Sequence, residues 1–176
     1  MRAVRLPPPT TTRGTVVYND VSGVSPANCK IRMRDDEMPC YFVRVENDRP
    51  PFPCVAVFLW GPDVDIDSDG NSSWVGDPEW TELTVIDRRN WGDRVDVDPV
   101  REDPLVLKVR SALAPLAART AYYLATVTGG GIALVADGPF GEPGRLLEAM
   151  GAHDVDKGLA EADAARRSYS QRRPGM

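Results

Sequence analysis

The longest apolar run in the chain, PCVAVFLWGP at residues 53–62, is only strand-length. A helix that crosses a bilayer needs roughly 20 apolar residues. The run therefore argues against a membrane partner and for a water-soluble fold. Its middle, CVAVFLW at 54–60, is apolar on both faces and predicts a central strand covered from two sides. A connection with three prolines, NDRPPFP, precedes it, and a strongly acidic stretch follows it. The remaining elements have to be arranged around this block.

Two flanking runs have the period of strands with one wet face. In CKIRMR at 29–34, Cys29, Ile31 and Met33 alternate with Lys30, Arg32 and Arg34. In CYFVRVE at 40–46, Tyr41, Val43 and Val45 share one side. GTVVY at 14–18, TELTVID at 81–87 and the weaker DRVDVD at 93–98 add further strand candidates. From 103 the period changes. Asp103 suits an N-cap and Pro104 a first helical position. Val106, Val109, Leu113, Leu116, Thr120, Tyr123 and Val127 then recur in steps of three and four. This predicts a helix over about 104–128, kinked or restarted at Pro115 and stopped by GGG at 129–131. A strand at 132–136, a short helix in EPGRLLEAM and a last helix at 155–171 complete the order.

Strands, then a long helix, then a strand and terminal helices define an α+β class. The expectation is a single domain over 14–171, with a largely antiparallel sheet and the 104–128 helix across one face. A helix running directly into a strand also allows one parallel crossover, hence a mixed sheet. The 176 residues, 42% of them hydrophobic, suffice for one core. Residues 1–13, with LPPPTTT, read as a flexible Pro/Thr-rich arm, and 172–176 as a frayed tail.

The N-terminus has arginines but no apolar segment after them, so it does not read as a secretory signal and a cytoplasmic protein is expected. Cys29, Cys40 and Cys54 are too widely spaced for a zinc knuckle. If 29–34 and 40–46 pair as a hairpin, Cys29 and Cys40 fall at opposite ends of it. Reduced thiols are therefore expected.

The net charge of −5 is unevenly spread. Residues 61–104 carry thirteen acidic and four basic side chains, and 61–82 carry seven acids with no Lys or Arg. Such a segment repels phosphate backbones, which argues against nucleic acid as a partner, and attracts a basic protein surface. Trp60, Trp74, Trp80 and Trp91 lie in or beside it, and tryptophans make good interface anchors. The expected docking set is Asp63, Asp65, Asp67, Asp69, Trp74, Asp77, Glu79 and Trp80. The competing reading is a solvated acidic loop with tryptophans that cap the core, and Arg88, Arg89 and Arg94 near enough to pair with the aspartates.

DVDIDSDG at 63–70 also matches the opening half of a calcium loop. Asp65, Asp67, Asp69 and Gly70 occupy its first, third, fifth and sixth positions. The twelfth position, which needs a bidentate glutamate, is Gly76. Any calcium site at Asp65, Asp67 and Asp69 is therefore expected to be weak, and the bland alternative is a turn. No other cofactor is indicated. TGGGI at 128–132 follows a helix and lacks the lysine of a phosphate loop, so it reads as a helix stop. The chain has one histidine, His153, and no Gly-x-Ser-x-Gly elbow. A Cys54–His153 pair and the carboxylates Glu79 and Glu82 have nothing local that marks them as catalytic. No motif is specific enough to name a family.

The expectation is a small non-enzymatic binding protein. Its most concrete form is an inhibitor or immunity-type protein that covers a cationic partner such as a toxin. Two alternatives stand beside it: a weak calcium-binding surface module, and an assembly subunit of a phage or other large particle that uses the 1–13 arm. The sequence carries no reading of oligomeric state.

Overall fold

A computed structural model describes residues 38–170. The arm at 1–13, the runs at 14–18 and 29–34, the hairpin drawn from Cys29 and the tail at 172–176 lie outside the described residues. The described residues all belong to one compact unit, 33–176. They form six strands: β1 (Cys40–Arg44), β2 (Ile66–Gly70), β3 (Leu83–Asp87), β4 (Arg94–Glu102), β5 (Leu105–Arg110) and β6 (Gly131–Ala133). Three α-helices join them: α1 (Phe52–Trp60), α2 (Ala114–Thr128) and α3 (Val155–Ser170). The strand order is β2-β3-β4-β5-β1-β6, and every pairing is antiparallel. The fold is α+β, and the parallel crossover that the order of elements allowed is not used.

The apolar block at 54–60 is a helix and not the expected central strand. A short run that is apolar all round satisfies both periods, so its pattern could not decide between them. Its flanks decide it. Pro51 caps the N-terminus and Pro53 sits in the first turn, where a missing N–H is harmless. Gly61 ends the helix at φ 92°, its N–H donating to the Val57 carbonyl at 2.8 Å. All-round apolarity fits because α1 packs against β3, α2 and α3.

The expected helix at 104–128 is shortened from its N-terminal side. Leu105–Arg110 is β5, hairpinned to β4, and Asp103 and Pro104 lie in the connection between them. Leu107 and Val109 point into the core while Lys108 and Arg110 do not, which is the strand period. α2 begins at Ala114, so Pro115 stands in its first turn, where no kink is needed. Gly129 closes the helix in the left-handed conformation at φ 68°, as GGG suggested. EPGRLLEAM supplies a 3-10 turn at Pro143–Leu146.

α2 packs against β1, β4, β5 and β6, and α1 fills the space towards β3. One face of the sheet, with Val43, Val85, Val95, Val97, Leu107 and Val109, meets Val55 and Phe58 of α1 and Leu116 and Leu124 of α2. Each such side chain contributes about 1.5–3 kcal/mol on burial. Phe58 stacks on Tyr123 with ring centroids 4.7 Å apart. The other face carries Thr84, Arg94, Asp96, Asp98, Lys108 and Arg110. There the charges pair: Arg110 of β5 reaches Asp98 of β4 at 2.7 Å, and Arg94 reaches along β4 to Asp96, which also accepts from the Thr84 hydroxyl of β3 at 2.7 Å.

Candidate functional site

The acidic stretch builds one edge of the sheet and the loop beside it. Among the described residues β2 pairs only with β3, with Asp67 opposite Ile86 and Asp69 opposite Thr84. The Arg88 amide donates to the Asp65 carbonyl at 2.9 Å, and the Asn71 amide to the Glu82 carbonyl at 3.3 Å. Antiparallel alternation then turns the backbone groups of Ile66, Ser68 and Gly70 away from β3, towards the open edge. Side chains alternate as well. Asp65, Asp67 and Asp69 lie on the face away from the helices, and Ile66 and Ser68 on the helix side.

The aspartates lie along an extended strand, about 6.6 Å apart in sequence steps of two, rather than around a turn. Among the described residues, no three His, Cys, Asp or Glu side chains are grouped to hold a metal ion. Arg88 instead bridges two of the aspartates, reaching Asp65 at 3.4 Å and Asp67 at 3.6 Å. Arg88 and Asp67 are about half exposed and Asp65 more so, so each contact adds at most about 1 kcal/mol.

Two members of the expected docking set belong to the interior. Trp80 is 1% exposed and donates Nε1–H to the Pro50 carbonyl at 2.8 Å. Its own carbonyl accepts from Arg49 Nε at 2.7 Å. Asp77 is buried and organises the loop: its carboxylate accepts from the Ser73 amide and hydroxyl, both at 2.7 Å, and from the Glu79 amide at 2.8 Å. Burial opposes its ionisation, but these donors and Arg49 outweigh burial and hold its carboxyl below the ordinary range. Trp74 is half-buried, its ring lying where a methyl group on Gly76 would have to stand. Asp63, Asp69 and Glu79 are exposed, as is Glu82 beside them, and none of the four has an ion-pair partner among the described residues.

Sequence reasoning passed over Asn71. Its Oδ1 accepts from the Thr81 and Glu82 amides at 2.9 and 3.0 Å, and its Nδ2 donates to the Thr81 hydroxyl at 2.9 Å. With Asp77 it closes the 71–81 loop on itself. The signal was present as an Asx residue after glycine, but which distant amides it would reach was not.

The Cys54–His153 pair is not a nucleophile and base. Cys54 is fully buried, and burial pushes its thiol up to about 12, so it is protonated at neutral pH. His153 packs edge-on against Phe58 at 4.8 Å, and its buried Nε2 has no hydrogen-bond partner. A methyl group on Gly158 would stand 3.2 Å from the same nitrogen, and Arg119 and Asp154 are the charged groups near it. Burial, and then the Arg119 charge, lower its pKa below the usual value, and Asp154 only partly opposes them. The folded form thus resists a proton that the unfolded chain accepts near pH 6.5. Stability is full above that pH and falls as the pH drops through 6 and 5. Asp77 and Asp87, whose pKa values are lowered, hold their contributions until more acidic conditions. Urea midpoints at pH 7.5 and 5 are expected to differ for the wild type and to converge in His153→Leu. Equal pH dependence in both proteins contradicts the assignment.

In comparison with known proteins, no family model matches the chain, and no curated protein or solved structure does either.

Proposed function

We infer that this is a non-enzymatic binding protein that docks the β2 edge and the adjoining acidic loop on a basic protein surface, in the manner of an inhibitor or immunity protein. The observation that carries this reading is the set of exposed carboxylates Asp63, Asp69, Glu79 and Glu82, in a stretch without a Lys or Arg. Asp65 and Asp67 share Arg88 and contribute less of the field. Trp74 supplies partly exposed aromatic area beside them. Charge complementarity of this kind accelerates encounter and fixes orientation more than it raises affinity. The outward backbone groups of Ile66 and Ser68 add a place where an extended segment of the partner can pair.

A cytoplasmic setting belongs to the same proposal. It is supported by the free thiols of Cys40 and Cys54, and no helix of the described residues is long and apolar enough to cross a membrane. Neither the calcium module nor the assembly subunit has a specific observation in its favour.

The test compares two charge-reversed proteins in capture from the native host's lysate. One carries lysine at Asp63, Asp69, Glu79 and Glu82, and the control carries it at four α3-side acids, Asp154, Asp156, Glu161 and Asp163. A basic protein held by the wild type and the control, released by salt and lost from the first variant, is the expected result. Association with that purified partner should slow by about tenfold or more in the first variant. Equal retention by all three proteins overturns the proposal.

A further inference from the structure

At the other end of the sheet, a cavity of about 340 Å³ opens beside β6. Its walls are mostly apolar, with Tyr41 from β1, Ile132 from β6, Val135 and Pro139 from the turn that follows, and Leu146 and Ala149 beyond. Leu134 and Val135 at this site are 68% and 61% exposed, apolar side chains held open to solvent. The volume lies at the lower end of the range for small-molecule sites. At ~30 Å³ for a group the size of a water molecule, it suits about ten to twelve non-hydrogen atoms.

The polar groups in these walls point to one kind of occupant. Arg145 lines the cavity, and its guanidinium has neither ion pair nor hydrogen bond among the described residues. It folds back across Gly141, where a methyl group would stand 3.2 Å from its Cδ. The bare glycine leaves room for the exposed side chain to lie there, with its charged end beside the cavity. The Tyr41 hydroxyl is likewise without a partner among the described residues, and no carboxylate lines the cavity. A guanidinium fork and a hydroxyl beside an apolar wall form a donor set that lacks its acceptor among the described residues.

We propose that this cavity binds a small apolar carboxylate, of the size of a medium-chain fatty acid. The carboxylate is held by Arg145 and Tyr41, and the chain lies against Ile132, Leu146 and Ala149. The site is separate from the acidic edge and does not depend on the role given to that edge.

Octanoate is the probe, and 1-octanol its uncharged counterpart, titrated calorimetrically into the full chain. Octanoate is expected to bind at one site, at least about tenfold more tightly than octanol. Arg145→Gln should weaken octanoate about tenfold and leave octanol unchanged, and Tyr41→Phe should weaken octanoate severalfold. Ala149→Phe, at an exposed position, should fill the space and abolish binding of both while the melting temperature holds. The proposal is overturned if octanoate does not bind at about 10 mM, a Kd too weak to matter. It is also overturned if octanol binds as well, or if both Arg145→Gln and Ala149→Phe bind like the wild type. A concentration-dependent dimer that Leu134→Asp dissociates and octanoate leaves intact also overturns it, because a second copy would then cover the cavity.

Discussion

Trp80→Ala is expected to destabilise the protein by about 3–5 kcal/mol, read from urea denaturation. The indole is among the largest fully buried side chains, and it joins three parts of the chain. Its Nε1–H holds the Pro50 carbonyl at the entry to α1, and its own carbonyl holds Arg49. The Arg49 amide in turn donates to Pro78 at 3.2 Å. Truncation would leave a cavity and unpair the Pro50 carbonyl. A domain of this size has only about 5–15 kcal/mol of stability to lose. Trp80→Phe should separate the two effects, restoring most of the volume while still losing roughly 1 kcal/mol for the hydrogen bond. If Trp80 were instead an anchor that faces a partner, Trp80→Ala would fold with wild-type stability. That outcome would overturn its placement in the core.

Gly130→Ala is expected to lose about 3 kcal/mol, the upper end for overpacking, because the obstruction is backbone. A methyl group at this position would overlap the Arg44 carbonyl oxygen and stand 2.9 Å from the carbonyl carbon. The chain crosses the end of β1 here as it passes from α2 to β6, and no rotamer change can make room. Two neighbouring glycines calibrate the result. Gly129 sits at φ 68° with only the Asn47 amide near, so alanine there should lose about 1 kcal/mol. Gly144 has nothing within 4 Å, and alanine should be nearly neutral. Urea midpoints ordered Gly130, Gly129, Gly144 from the lowest support this account. A Gly130→Ala protein as stable as the Gly144→Ala protein contradicts it.

The α+β class was legible because β3 alternates cleanly, with β1 and β4 weaker versions of the same period, and because GGG marks the end of α2. The two misread elements share a cause. CVAVFLW and the 105–113 run are apolar at positions that suit both periods, so only the partners assembled by the fold could choose. Pro53 and Pro115 held the missing information. Each marks a helix start, yet each was read as a connection or a kink because the elements around it had been placed first. The site was less legible than the fold. Acidity at 61–82 is plain in the residue types, but whether a given carboxylate is spent inside the molecule is not. Asp77 is committed to Ser73 and Glu79, Asp65 and Asp67 share Arg88, and Asp63 and Asp69 remain outward. Nothing local marks Arg145 either. Its cavity joins residues from position 41 to position 149, and only topology brings them together.

The two ends of the sheet are protected by different means. β6 is three residues long and is bridged on its outer side by Gly141, so its hydrogen-bonding groups are already engaged. In β2, no described residue pairs with the outer backbone groups of Ile66 and Ser68, and repulsion between carboxylates discourages a second molecule from adding a strand there. That safeguard is chemical and therefore conditional. Salt high enough to screen the charges would leave the same edge as the place where filaments or precipitates begin, with the rest of the molecule still folded.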